Sequence, residues 1–213
     1  KSVPKELLPL VDRPCLEYIV AEAVDAGLDE IIFVTSRGKE SISDYFDRNP
    51  ALEASLEAAG KKDYLKEVIR VGSLAQVVSI RQKETLGLGH AVLCAAPATG
   101  NESFAVLLGD DIVDSKVPAI GQLVNVHEER GGCVVALMDV PREQTQRYGI
   151  CDGEMVGDRL MHVRAMVEKP APEDAPSTYS IVGRYVLPPE IHDILRNTSR
   201  GAGGEIQLTD ALA

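Results

Sequence analysis

Phe104-Ala105-Val106-Leu107-Leu108-Gly109-Asp110-Asp111 is an apolar run that ends abruptly in a glycine and two acids. A short apolar run bounded by turn residues reads as a strand covered on both faces, the kind found in parallel sheets flanked by helices. Ligands in open α/β sheets sit beyond the carboxyl ends of such strands. An acid delivered to that edge, with Gly109 clearing space beside it, can ligate Mg²⁺ while the ion keeps its waters. Asp110 is closer to the strand end, and Asp111 reads better as a cap of the following turn. The alternative is that both acids only cap the turn.

Working outward, strands and amphipathic helices alternate. Leu16, Ile19, Val20, Ala23 and Val24 recur at helical spacing, with Gly27 as a stop. Ile31-Ile32-Phe33-Val34-Thr35 is a β-branched run of the buried parallel type. A polar helical region spans 52–59 and 64–71, followed by a strand at Val77–Ile80 and a short helix at His90–Ala96. Beyond the run at 104–108 come a helix at Ala119–Glu129 and a strand at Val134–Val140. This alternation predicts an α/β fold, a doubly wound mixed sheet with helices on both faces. After Arg142 the rhythm changes to strand-like pieces around Tyr148–Cys151, Met161–Val167 and Ser180–Leu187, separated by Gly-, Asp- and Pro-rich turns. They predict a small antiparallel subregion, with Pro188-Pro189 starting a helix that runs to Leu195. Residues 1–213 read as a single domain.

The net charge of −11 argues against sequence-independent nucleic-acid binding, which relies on clustered Lys and Arg. A phosphate-rich small molecule is compatible with it, given a few cations and a metal placed locally. No apolar stretch approaches the roughly 20 residues needed to cross a bilayer. Cys15, Cys94, Cys133 and Cys151 show no metal-ligand or CxxC spacing and read as buried free thiols of a reducing cytoplasm. His90, His127, His162 and His192 are scattered and no GxSxG is present, so nucleophilic catalysis by the protein has no support.

Three further segments can carry chemistry. Lys1-Ser2-Val3-Pro4-Lys5-Glu6-Leu7-Leu8-Pro9 fits neither helix nor strand, and its plain reading is a surface loop with a solvated lysine. Gln82 to Ala91, with Gly87-Leu88-Gly89 inside, lies between a strand and a helix. Glycines there let backbone approach a flat ligand or a phosphate, although a tight turn explains them equally well. Gln82 has the donor and acceptor needed to read a base edge. Val167-Glu168-Lys169-Pro170 sets opposite charges side by side, and the proline biases Lys169 towards an extended conformation. Neighbours on a regular strand point to opposite faces, so the backbone must be irregular if both serve one ligand. Otherwise they form a solvated surface pair.

Taken together and in order, these segments resemble the bacterial UTP–glucose-1-phosphate uridylyltransferases within the sugar nucleotidyltransferase family. The matching segments are Pro4 to Asp12, Gly87 to Ala91, Leu108 to Asp111, Tyr148 to Ile150, Val167 to Pro170, Ile181 to Tyr185 and Gly204 to Ala211. The resemblance implies a Rossmann-like nucleotide-binding sheet and transfer of a uridylyl group from UTP to glucose-1-phosphate. Lys5 and Glu6 would contact the nucleotide, with Lys5 at its phosphates; Gln82 and the backbone at Gly87 would read uracil. Asp110 would bind Mg²⁺. Gly149, Glu168, Lys169, Val182 and Gly183 would surround glucose-1-phosphate, Glu168 accepting hydroxyls and Lys169 countering the phosphate. Lys5, Asp110 and Lys169 are the expected catalytic residues.

The family's glycine-rich loop would precede Lys1, and its second metal-binding aspartate would follow Asp210. The resemblance further implies a cytoplasmic homo-oligomer, a dimer or tetramer, without nucleic-acid or membrane partners. The other readings are a relative using dTTP or CTP with another hexose-1-phosphate, and a non-catalytic paralogue that binds nucleotide sugar.

Overall fold

A computed structural model describes residues 3–213; Lys1 and Ser2 lie outside the described residues. In chain order the elements are β1 (Pro9–Leu10), β2 (Arg13–Pro14), α1 (Cys15–Asp25), β3 (Glu30–Thr35), α2 (Glu40–Phe46), α3 (Pro50–Ala58), α4 (Lys62–Val71), β4 (Gln76–Arg81), α5 (Leu88–Thr99), β5 (Phe104–Leu107), α6 (Ala119–Arg130), β6 (Val134–Asp139), β7 (Gly149–Gly157), β8 (Leu160–Glu168), β9 (Tyr179–Leu187), α7 (Ile191–Asn197) and α8 (Leu208–Leu212). A short 3₁₀ turn at Lys5–Leu7 precedes them.

The apolar periodicity explains most of these elements. Leu16, Ile19, Val20 and Ala23 bury one face of α1, and Gly27, at φ 85°, turns the chain out of the helix into β3. Asn49 caps α3 by accepting the Leu52 amide, with Pro50 at the first helical position. β3 and β4 pair in parallel from Glu30–Gln76 to Thr35–Arg81. The five-stranded sheet is antiparallel at every pairing and β9 runs through its centre, so that the only parallel pairing among the described residues is β3 with β4. β9 is antiparallel to β5, to β6 and to the first residues of β7, while β7 also pairs with β8. The antiparallel strands thus reach into the middle of the sheet, where the alternation of strands and helices had placed only parallel ones.

Among the described residues β3 pairs with β4 alone and β5 with β9 alone. Between these two edges lies a cleft of about 660 Å³, lined by β3, by β5, by Leu16 to Ala23 of α1 and by Ala91 to Ala98 of α5. Its far end carries Thr35, Lys39, Glu6, Leu88 and Gly109. That end is the carboxyl side of β3 and β5, where open α/β sheets hold ligands.

One ion pair crosses the fold. Arg184, in the middle of β9 and fully buried, donates from Nε to both carboxylate oxygens of Glu22 on α1 and from Nη2 to Glu22 Oε2 at 2.7 Å. Glu22 Oε1 also accepts the Ile120 amide in the first turn of α6. Removing one partner of such a pair strands a buried charge, at a cost of about 3–5 kcal/mol. All four cysteines are free; contrary to the expectation of buried thiols, Cys133 is exposed and only Cys151 is fully buried.

His192 on α7 is buried against the edge of the larger sheet. Its ring stacks on Phe104, centroids 4.9 Å apart, and Nε2 lies 2.8 Å from Thr99 Oγ1, while Nδ1 has no hydrogen-bond partner. Burial pushes its pKa below the ordinary 6.5, Arg196 pushes the same way, and Asp193 opposes them. The folded state therefore holds His192 neutral where the unfolded chain would already be protonated. Urea unfolding of wild type should show stability falling as pH drops below about 6.5. His192→Gln should lose less over the same window, and equal losses would remove His192 from the account.

Candidate active site

Asp110 stands at the head of a tightly bound loop. Leu108 N–H donates to the Gly183 carbonyl at 2.9 Å, and Asp111 N–H to the Leu108 carbonyl at 3.3 Å. Asp111 turns inward: its Oδ2 accepts the Gly183 amide at 3.1 Å, and its carbonyl accepts Arg184 Nη2 at 2.9 Å. Asp111 is therefore not a cap of the following turn, as its position suggested, but a tether of the loop to β9. Asp110 is left facing outward, its side chain 52% exposed, and its Oδ2 takes Lys5 Nζ at 2.5 Å. That hydrogen bond raises the Lys5 amine above its ordinary pKa against the desolvation of its position.

The lysine expected in a solvated loop is therefore bound to the acid expected at the strand end, 105 residues away in sequence. Glu6, on the same turn, pairs through Oε1 with Lys39 Nζ at 2.6 Å, while its Oε2 is buried with no hydrogen-bond partner. Gly109 makes room for it, since a Cβ there would stand 3.2 Å from Glu6 Cγ.

A second cluster forms where β7, β8, β9 and α8 meet. Gly149 and Glu168 are paired across β7 and β8. A Cβ on Gly149 would come within 3.1 Å of Thr209 Oγ1 and 3.2 Å of Glu168 Oε2, so the glycine admits both polar groups. Glu168 Oε2 accepts the Thr209 hydroxyl at 2.7 Å, and its Oε1 lies 3.2 Å from Lys169 Nζ.

Lys169 corrects one expectation. Ahead of Pro170 it is not extended but left-handed, at φ 47°, with its N–H donating to the Tyr148 carbonyl at 3.0 Å. A non-glycine residue held there carries about 1–3 kcal/mol of strain, a cost met at functional sites. The irregular backbone is what lets neighbours that a regular strand would separate form a pair. Tyr185 links the two clusters: burial raises its pKa first, then the carboxylates of Glu168 and Asp111.

Gln82 and Gly87 stand at the third corner, by the start of α5. Gln82 Nε2 reaches the Gly87 carbonyl at 3.1 Å and His90 Nδ1 at 3.0 Å, so the amide is oriented before any base arrives. Gly87, at φ 100°, also has a packing reason: a Cβ would come within 2.7 Å of Glu205 Cβ and 2.8 Å of the Ile206 carbonyl. The lining of the neighbouring concavity includes Arg37, Arg81, Lys83 and Glu84, three cations and one acid whose meeting periodicity alone does not reveal.

Val182 and Gly183 lie on β9, and Gly183 sits against the Asp110–Asp111 loop, where a Cβ would run into Asp111 Oδ2. Thr209, Lys39, Arg184 and Glu22 join the site without having been singled out. Thr209 and Arg184 lay inside quoted motifs, whereas only three-dimensional pairing reveals Lys39 and Glu22.

Among the described residues no three His, Cys, Asp or Glu side chains converge as a metal cage. Asp110 nevertheless fits a hard cation that keeps most of its waters and is shared with phosphate oxygens, because such an ion needs only one or two protein carboxylates.

The family model for nucleotidyl transferases matches residues 1–213. The chain belongs to that family. It is 50% identical over 212 residues to a UTP–glucose-1-phosphate uridylyltransferase of Staphylococcus haemolyticus (strain JCSC1435), covering all of this chain and 74% of the relative. A UTP-bound UGPase from Acinetobacter baumannii superposes with a TM-score of 0.90 at 42% identity, covering 100% of this chain and 74% of that one. A UDP-glucose pyrophosphorylase complexed with UDP-glucose gives a TM-score of 0.89 at 38% identity, covering 99% of this chain and 78% of that one.

The collision at Gly183 yields a direct test. Gly183→Ala should force Asp111 off its tether and destabilise the protein by about 1–3 kcal/mol, the usual cost of overpacking. Denaturant titration measures the loss, and an unchanged midpoint would show that the loop can move aside freely.

Proposed function

We propose that this chain carries out uridylyl transfer from UTP to glucose-1-phosphate, giving UDP-glucose and pyrophosphate, with Mg²⁺ as the metal. The observation that carries this reading is the Lys5–Asp110 pair, a cation and a metal-competent carboxylate 2.5 Å apart at the carboxyl end of β5. The relatives' activity, at about half identity over the whole chain, supports the choice of substrates.

The chemistry asks little covalent work of the protein. A phosphate oxygen of glucose-1-phosphate attacks the α-phosphorus of UTP; that P–O bond forms as the bond to the β-phosphate bridge breaks, and pyrophosphate leaves with the electron pair. The attacking oxygen is already ionised at neutral pH, so no general base is required.

The obstacle is repulsion between two anions, roughly 4 kcal/mol per unit charge pair at ~4 Å and an effective dielectric near 20. Lys5 lies against the UTP phosphates and Lys169 against the sugar phosphate, both holding charge where it develops. Asp110 would hold Mg²⁺, whose part is to screen the phosphates and polarise the attacked phosphorus. Glu168, oriented by Thr209 and Lys169, accepts sugar hydroxyls; Gly149, Val182 and Gly183 form the wall around the sugar phosphate.

Gln82, its Nε2 directed to Gly87 and His90, presents its amide oxygen as an acceptor. Uracil and thymine carry an N3–H that can donate to it, and cytosine does not. The same reading treats residues 1–213 as one nucleotidyltransferase domain. Among the described residues no helix is long and apolar enough to cross a membrane.

In the intact protein, Asp110→Asn should lower UDP-glucose formation by about 100-fold or more while unfolding stays cooperative. Near-normal turnover in that variant would refute the metal assignment. A nucleotide panel read by pyrophosphate release should place CTP about 100-fold or more behind UTP in kcat/KM, with dTTP between them. CTP used as well as UTP would end the role assigned to Gln82.

A further inference from the structure

We infer that Arg184 and Glu22 are positioning residues for the metal-binding loop, setting the height of Asp110 above the carboxyl end of β5. The inference deepens the proposed transfer and rests on that reading. Three anchors tie the loop to residues 183 and 184: Leu108 N–H to the Gly183 carbonyl, Gly183 N–H to Asp111 Oδ2, and Arg184 Nη2 to the Asp111 carbonyl. Asp110 is bracketed by these anchors, and its own carboxylate faces outward to Lys5.

Arg184 also donates from Nη1 to the Gly183 carbonyl at 3.0 Å, the same oxygen that holds Leu108. The guanidinium is planar and its donors are fixed relative to one another. Glu22 clamps one edge of that plane, so the donors directed at Asp111 and Gly183 cannot swing away. Glu22 is itself tied to the first turn of α6 through Ile120. The loop is thereby referenced to α1, α6 and β9 at once.

Stability alone does not explain the arrangement. A buried arginine–carboxylate pair gives no more stability than well-packed apolar side chains of similar volume, and often less. It does supply directional contacts to backbone carbonyls that an apolar pair lacks. A metal shared between one carboxylate and a phosphate needs that carboxylate placed closely, because misplacement by about 1 Å can cost on the order of 100-fold in rate. Lysine retains the charge of Arg184 but loses the fork, which makes Arg184→Lys the informative variant.

The test uses the intact protein and a binding readout beside activity. UTP is titrated calorimetrically with and without Mg²⁺ into wild type, Arg184→Lys, Glu22→Gln and Asp110→Asn. Arg184→Lys and Glu22→Gln should keep metal-free UTP affinity within about twofold and lose roughly fivefold or more of the Mg²⁺-dependent gain. Their kcat should fall about tenfold while KM for glucose-1-phosphate changes little.

In the Asp110→Asn background, Arg184→Lys should remove nothing further from the metal-dependent gain, because both act through one carboxylate. A full metal-dependent gain in Arg184→Lys, with only the unfolding temperature lowered, would overturn the inference and leave the pair structural. A full gain in Asp110→Asn would instead overturn the metal reading on which it rests. Should the buried variants not fold, Asp111→Ala cuts the loop's other tether without touching the pair; it should show the same loss, and an undiminished gain there overturns the inference too.

Discussion

The fully buried guanidinium of Arg184 is the constraint around which the centre of this protein is arranged. A charge taken out of water must be matched on the spot, and α1 supplies the carboxylate. Glu22 meets that demand, and in doing so fixes how α1 lies across β9. Its remaining capacity goes to an unpaired amide in the first turn of α6, a place where a negative group is favoured. The donors that Glu22 leaves over go to carbonyls of Gly183 and Asp111. The demand of one buried charge thus reaches from the core to the edge of the candidate site.

The site's own charges follow another logic. The protein is strongly acidic, with a net charge of −11, yet the chemistry proposed for it handles phosphates. Three lysines at the site are each held by an acid: Lys5 by Asp110, Lys39 by Glu6, Lys169 by Glu168. Pairing keeps these lysines placed in the absence of ligand, and half-exposed pairs of this kind contribute little to stability, about 0–1 kcal/mol. Under the proposed chemistry an arriving phosphate and metal would divide the Lys5–Asp110 pair at small cost, the phosphate taking the lysine and the metal the carboxylate. Electrostatic preorganisation here means ion pairs ready to be divided between the two halves of a metal–phosphate group.

Much of this was legible in the chain. The apolar run at 104–108 and the β-branched run at 31–35 announced the strands whose ends carry the site, because a two-sided burial leaves few alternatives to a strand. Asp110, Lys5, Glu168 and Lys169 were named from segments that resemble a family in order, and the structure brings them together in two pairs. Three things were not legible, each for a physical reason. β9 follows the change of rhythm after Arg142 and was assigned to a small antiparallel subregion rather than to the middle of the sheet; only the pairing with Glu22 makes burial of Arg184 tolerable. Gly87 read either as a close approach to a ligand or as a tight turn, and Gly183 as a neighbour of the sugar phosphate by resemblance alone, whereas Glu205, Ile206 and Asp111 press against them. The cations Arg37 and Arg81 lie at the ends of two different strands and meet only once β3 and β4 have paired.

Lys169 shows where local preference yields to the site. A residue before proline favours extended backbone, and a lysine has no side-chain group that eases the left-handed region. Here it sits at φ 47°, fixed by the Tyr148 carbonyl, directly after the nine-residue strand β8. Had β8 continued for one more residue, Lys169 would face away from Glu168 and the pair could not form. The left-handed turn rotates the lysine back to its neighbour's side, and Thr209 takes up the carboxylate oxygen the lysine does not use. The strain is tolerated because β7 and α8 both hold the strand end. An acid and a base presented side by side to one sugar phosphate therefore require a break in the strand at this residue, and the surrounding pairing is what sustains it.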